Sequence, residues 1–191
     1  MILPITAYGH PTLKKVAQDI DKDYPGLEQL IADMFETMYY SKGVGLAAPQ
    51  IDKSIRLLVI DATPYAEDFP EAKNFKKIMI NARIIEESGS EWAFNEGCLS
   101  VPDIREDVYR KPNIKITYMD EAFNEHTEEY SGVAARIIQH EYDHLEGVLF
   151  VERLAPLKKM LLKRKLTDIT KGNIKIDYRM KFPFQYKKIK K

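Results

Sequence analysis

The sequence predicts an α+β domain. Residues 27–38 space their apolar side chains as a helix does, and the runs 55–60, 78–85 and 114–118 read as strands. Strands and helices do not alternate in regular βαβ order, which excludes a doubly wound parallel sheet. The chain has 191 residues, enough for one domain that buries roughly 70% of the surface its unfolded form exposes. Apolar residues make up 45% and charged residues 30%, a balance that excludes wholesale disorder. A single cysteine excludes an internal disulfide and points to a reducing compartment. No apolar run reaches the roughly 18 residues a membrane span needs. The opening MILPITAYGHPTLKK lacks the basic-then-apolar order of a secretion signal. The expectation is a soluble, cytoplasmic protein with no membrane partner.

Each element has its own signal. Leu27, Leu30, Ile31, Met34, Phe35 and Met38 form one face of a helix, with Pro25 for its first turn and Gly43 beyond its end. GVGLAAPQ (43–50) is too rich in glycine and alanine to fill a strand well and too short for a helix. IRLLVI (55–60) and IMINARII (78–85) are strands, and TPYAEDFPEAKNFKK between them is a loop. IKITY (114–118) alternates as a half-buried strand, with 127–130 as its partner. Ser131 is placed to cap a helix over 132–145, and a further helix follows Pro156 and stops at Gly172. The zero net charge hides an asymmetry. Residues 156–191 hold thirteen Lys/Arg against Asp168 and Asp177, a net +11, and the rest of the chain carries −11. The expected organisation is a body, 1–155, with a basic C-terminal helix and tail, 156–191, suited to an anionic partner.

Chemistry concentrates at His140-Glu141-Tyr142-Asp143-His144, an HExxH. Positions four apart share a helix face, so both imidazoles can bind one metal, and Glu141 beside them can act on water as a general base. A catalytic site of this kind needs a third ligand. Gly147 would continue the motif toward HExxHxxGxxH, but the last position is Phe150, and no glutamate follows Glu152. His10, His126 and Cys98 remain. The two histidines read as surface residues. A thiolate is a good ligand for a transition metal, although a lone cysteine is more often a small buried hydrophobe.

GVGLAAPQ, EGCLS (96–100) and QHEYDHLEG (139–147), in that order, resemble the three motifs of the peptide deformylases. Gly43, Gly45, Ala47, Ala48, Gln50, Glu96, Gly97, Cys98, Ser100, His140, Glu141 and His144 all match, and the likeness runs to about residue 160. One departure is Asp103, where many members have glycine and others an acidic residue. The resemblance implies small antiparallel and mixed sheets around a central HExxH helix, with the N-terminal helix and the basic extension outside them. It implies removal of the formyl group from the formyl-methionine of new polypeptides, with release of formate. Cys98, His140 and His144 would hold one metal per chain. That metal is Fe²⁺ by the family's habit, with Zn²⁺, Ni²⁺ or Co²⁺ able to substitute.

By the same resemblance, Glu141 moves the proton while Gln50 and the backbone N–H of Leu99 stabilise the oxyanion. Val44, Gly45, Phe94, Val133 and Ile137 are the expected substrate contacts, the apolar ones walling a methionine pocket and Gly45 offering its backbone to an extended peptide. Glu96 is expected to pair with Arg110 and fix the second motif. Related enzymes use a C-terminal helix on the ribosome, which makes the +11 segment a candidate for that partner. Two rivals are a metallopeptidase and an RNA-binding module with a structural metal. The first lacks a downstream ligand, and the second would need four protein ligands where three are found.

Overall fold

The computed structural model describes residues 1–183. In chain order its strands are β1 (Ile5–Thr6), β2 (Gly45–Ala47), β3 (Leu57–Asp61), β4 (Lys76–Ser88), β5 (Trp92–Cys98), β6 (Val101–Arg110), β7 (Asn113–Met119), β8 (Glu125–Ser131) and β9 (Met180–Lys181). The α-helices are α1 (Leu27–Tyr40), α2 (Gly132–Leu145) and α3 (Pro156–Lys171). Strands β2-β3-β4-β7-β8 form an antiparallel sheet in that order, β5 and β6 form a separate hairpin, and β9 pairs in parallel with β1. The fold is α+β with antiparallel sheets and three helices, as expected.

The five-stranded sheet lies between two helices, which explains why β3 is apolar at successive positions. Leu58 and Ile60 pack with Met79, Ile116, Ile137 and Ile138 toward α2, and Leu57 and Val59 pack with Leu30, Met34 and Met38 of α1. A strand covered on both faces has no polar side to show. Each fully buried side chain of this kind contributes about 1.5–3 kcal/mol. A third cluster joins Val101, Ile104 and Val108 of β6 to Phe150 and to Leu162, Leu166 and Ile169 of α3. Ile174, Met180 and Phe182 pack against its edge. Phe184, another apolar residue of the tail, lies outside the described residues.

Several local readings change. Helix α1 begins behind Gly26, whose φ is +70°, so Pro25 stands before the helix rather than in its first turn. The 43–50 segment does form a strand, because Gly45, Leu46 and Ala47 find a ready partner in Ile60, Val59 and Leu58 of β3. Pairing overrides weak intrinsic preference. Hairpin β5–β6 is absent from the sequence reading because Asp103, Arg105, Glu106 and Asp107 mask the alternation of Ile104 and Val108 beneath them.

Ser131 makes no side-chain cap to α2. The expected 63–77 loop ends earlier, since β4 starts at Lys76, and Glu71, from a 3₁₀ turn in the 62–75 loop, instead accepts the N–H of Val133 at 3.1 Å. Gly132 makes room for it: its φ is +58°, and a Cβ there would press into the Glu71 carboxylate. The loop therefore has a structural purpose: it supplies the charge at the N-terminus of α2.

Candidate metal centre

Helix α2 carries His140 and His144 one turn apart, their ring centroids 5.3 Å from each other. Cys98 ends β5, where the chain turns through Leu99 and Ser100 into β6. Its Sγ lies 3.3 Å from Nε2 of His144, and one donor atom from each of Cys98, His140 and His144 falls within 4.8 Å of the others. His10 and His126 lie outside this group. His10 is not a surface residue, being 1% exposed, and its Nδ1 accepts the N–H of Thr12. His126, on β8, lies 2.8 Å from Asp120.

A buried ion network aims the first imidazole. Glu96 accepts Nδ1–H of His140 at 2.9 Å, both Nε and Nη2 of Arg110 at 2.8 and 2.9 Å, and Nη1 of Arg136 at 2.9 Å. The expected Glu96–Arg110 pair is thus present. With Nδ1 held, Nε2 of His140 is turned to the centre. Burial alone would raise the Glu96 carboxyl, but the bonds from His140 and Arg110 hold it well below the usual range. Arg110 continues to Asp143 at 2.7 Å, which also receives Arg153. The sequence reading did not include Arg136 or Asp143. Both had a signal: Arg136 stands four residues before His140 on the same face of α2, and Asp143 lies inside the HExxH.

Gln50 closes one side. Its Oε1 accepts the N–H of Ala47 at 2.8 Å, which fixes the amide so that Nε2 points inward, 3.5 Å from Cys98 Sγ and 3.4 Å from Ser100 Oγ. On the other side Glu141 is 4% exposed, and its Oε2 has no hydrogen-bond partner among the described residues. Burial pushes its carboxyl up to about 7. An unpaired buried carboxylate is costly unless something polar meets it. The chemistry of the donor set fits a transition metal: one thiolate and two imidazoles, with a proton acceptor and an amide donor aimed at the same space.

Gly45 lies directly against Glu141, and a Cβ at that position would stand 2.7 Å from Glu141 Cδ and closer still to Oε1. Gly45→Ala should therefore displace the carboxylate and lower turnover by at least about tenfold, while stability changes little. Kinetics beside thermal melting check this, and a fully active Gly45→Ala protein would show that the carboxylate has room to move.

A cleft of about 680 Å³ opens above these groups, lined in part by Val44, Gly45, Gln50, Leu99, Phe94 and Ile137. Val133 is not in its wall; it is fully buried in the core beneath. The missing wall comes from the 62–75 loop, whose Tyr65 lines the cleft and meets Phe94 edge-on at 5.9 Å. Phe94 is braced from behind by Phe69 and Trp92. Asp103 borders the same cleft with φ +60°, the left-handed region glycine favours and aspartate tolerates, which accounts for either residue at this position. Lys175, Ile176, Asp177 and Tyr178 complete the rim; the sequence shows their charges and the apolar character of Ile176 and Tyr178 but does not place them at the cleft.

The family model for polypeptide deformylases matches residues 2–160. A peptide deformylase of Christiangramia forsetii is 57% identical over 190 residues, covering 96% of this chain and 97% of that protein. One from Flavobacterium psychrophilum is 55% identical over 95% of this chain and 97% of its own. Among solved structures, a peptide deformylase from Legionella pneumophila superposes with a TM-score of 0.78 at 37% identity, covering 91% of this chain and 98% of that one. A class I type b peptide deformylase from Acinetobacter baumannii, bound to Met-Ala-Ser, superposes with a TM-score of 0.73 at 35% identity, covering 81% and 99%.

Proposed function

The chain belongs to the polypeptide deformylase family, and on that premise we propose how its residues carry the family's reaction. The protein removes the formyl group from N-terminal formylmethionine. The observation that carries the reading is the meeting of Cys98, His140 and His144 beside an unpaired Glu141.

Cys98, His140 and His144 would hold one divalent metal. Bound there, it supplies Lewis-acid chemistry that makes water nucleophilic near neutral pH. Glu141 takes a proton from the attacking water as oxygen bonds to the formyl carbon. Negative charge then builds on the carbonyl oxygen, where the Gln50 amide and the Leu99 N–H donate to it. One such preorganised donor is typically worth about 10²–10³ in rate. Glu141 returns its proton to the departing nitrogen as the C–N bond breaks, which leaves formate and a free amino terminus. Val44, Phe94 and Ile137 bury the methionine side chain, and Gly45 pairs with the extended peptide backbone. Incubation of the metal-loaded protein with formyl-Met-Ala-Ser should release one formate per peptide. Release of a free amino acid instead would favour a peptidase.

The native metal in this reading is ferrous iron, on the family resemblance, in a donor set that zinc, nickel or cobalt would also accept. Iron beside a thiolate exposes metal and sulfur to oxidation. The iron-loaded protein should lose activity in air many times faster than the nickel- or zinc-loaded protein. Equal lifetimes would count against iron.

The body, 1–155, carries the catalytic groups, and the basic segment 156–191 supplies the contact to the ribosome, where new chains emerge in the cytoplasm. Two features of α3 support this: Leu157, Met160 and Leu161 are 64%, 64% and 71% exposed, and lysines surround them. No described helix is long and apolar enough to cross a membrane. Leu161→Glu should weaken co-sedimentation with ribosomes at low salt and leave cleavage of short peptides unchanged. Equal sedimentation of the two proteins would remove this role.

A further inference from the structure

The chain returns to the catalytic cleft after α3, beyond the last residue that the family model matches. Strand β9 anchors the return beside β1, through Ile5 N–H to Arg179 O at 2.8 Å and Ala7 N–H to Lys181 O at 2.9 Å. Lys181 also pairs with Asp52, just past the turn that holds Gln50. Immediately before this anchor, residues 175–178 run along the cleft rim. Asp177 reaches Lys42, one residue before the first motif, at 3.3 Å. The Tyr178 hydroxyl donates to the carbonyl of Leu99 at 2.8 Å.

These two contacts differ in weight. Both members of the Lys42–Asp177 pair are mostly exposed, and an ion pair of that kind contributes little. The Tyr178–Leu99 bond is half-buried and falls on the two-residue link between Cys98 and β6. That link is gripped at three points. Ser100 O accepts the N–H of Tyr8 at 2.8 Å, the Leu99 side chain lies where a Cβ on Gly43 would be, 2.8 Å away, and Tyr178 holds the Leu99 carbonyl. The seated side chain and the held carbonyl direct the bonds from Leu99 Cα to Cβ and to the carbonyl carbon, and tetrahedral geometry then places the bond to nitrogen. That nitrogen belongs to the preceding peptide plane, whose other end is Cys98 at the end of β5, so its N–H, the donor for the developing oxyanion, is aimed as well.

We propose that Tyr178 is a positioning residue for deformylation, holding the Leu99 carbonyl, and through it the Leu99 Cα, so that the N–H of the same residue points at the formyl oxygen in the transition state. The proposal rests on the function assigned above. It makes the C-terminal return part of the active site. Tyr178 touches no reacting atom, so its effect belongs to the transition state rather than to peptide binding.

Tyr178→Phe removes the hydroxyl and keeps the ring. With formyl-Met-Ala-Ser, kcat should fall about 3- to 10-fold, the range one net hydrogen bond represents. KM and the inhibition constant of the product Met-Ala-Ser should stay within about twofold of the parent, because neither depends on the oxyanion. Metal content and melting temperature should match the parent protein. An unchanged kcat overturns the proposal. So does a raised KM at constant kcat, which would make the segment a wall only, or a loss that tracks metal content or folded fraction. Failure of the parent protein to release formate would instead refute the assigned reaction, so the two claims fail separately.

Discussion

Glu141→Gln should lower kcat by about 10²–10⁴-fold while the protein keeps its full complement of metal. The substitution preserves shape and hydrogen-bonding reach and removes the ability to accept a proton. Glu141 is not one of the three ligating residues, and its Oε2 is unpaired among the described residues, so no metal bond is lost with it. Glutamine also removes a buried carboxyl that burial disfavours as a charge, so the metal-free variant should be at least as stable as the metal-free parent. Metal analysis, melting and kinetics on one preparation check all three statements. A metal-free Glu141→Gln protein would move this residue into the ligand set.

Cys98→Ala should lose both metal and turnover, the larger effect of the two. Three donors lie within 4.8 Å of one another, and removing the thiolate leaves two imidazoles without the softest ligand. The fold should survive. Cys98 sits at the edge of its apolar cluster rather than within it, and the β5–β6 hairpin is held along its length by six further paired positions before the bulge. The signature is therefore a folded protein, normal by circular dichroism, with no retained metal after dialysis and formate release at the level of buffer. Stoichiometric metal in that variant would exclude the thiolate as a ligand.

What could be read from the chain follows from how local each signal is. The helix at 27–40 announces itself because its apolar spacing lies within one element, and those at 132–145 and 156–171 because the residues that bound them, Ser131, Pro156 and Gly172, stand next to them in the chain. The HExxH does the same for His140, Glu141 and His144. The third ligand does not. Cys98 stands more than forty residues away, residue chemistry alone leaves His10 and His126 as rivals, and only the order of the three motifs singles the cysteine out. His10 shows the limit of residue type: it was expected on the surface and is buried, because its fold neighbours are Thr12 and Asp52 rather than solvent.

Hairpin β5–β6 and the true cap of α2 were missed for related reasons. Charged residues on the solvent side hide the strand period, and the capping carboxylate arrives from Glu71, 62 residues before the Val133 N–H it accepts. Helical phase points Val133 toward the cleft. Phase gives the face but not the depth: Val133 is fully buried in the core, and Tyr65, from a loop, lines the cleft instead. The return of 175–178 to the cleft depends on the β1–β9 pairing, which joins residues near opposite ends of the chain. No local pattern encodes it.

A single metal, held by Cys98, His140 and His144, should suffice for deformylation. Titration of metal-free protein with ferrous ion under nitrogen, followed by formate release from formyl-Met-Ala-Ser, tests it in one curve. Activity should rise linearly from near zero and break sharply at one metal per chain. Formate release by the metal-free protein, or a break at two equivalents, would contradict it.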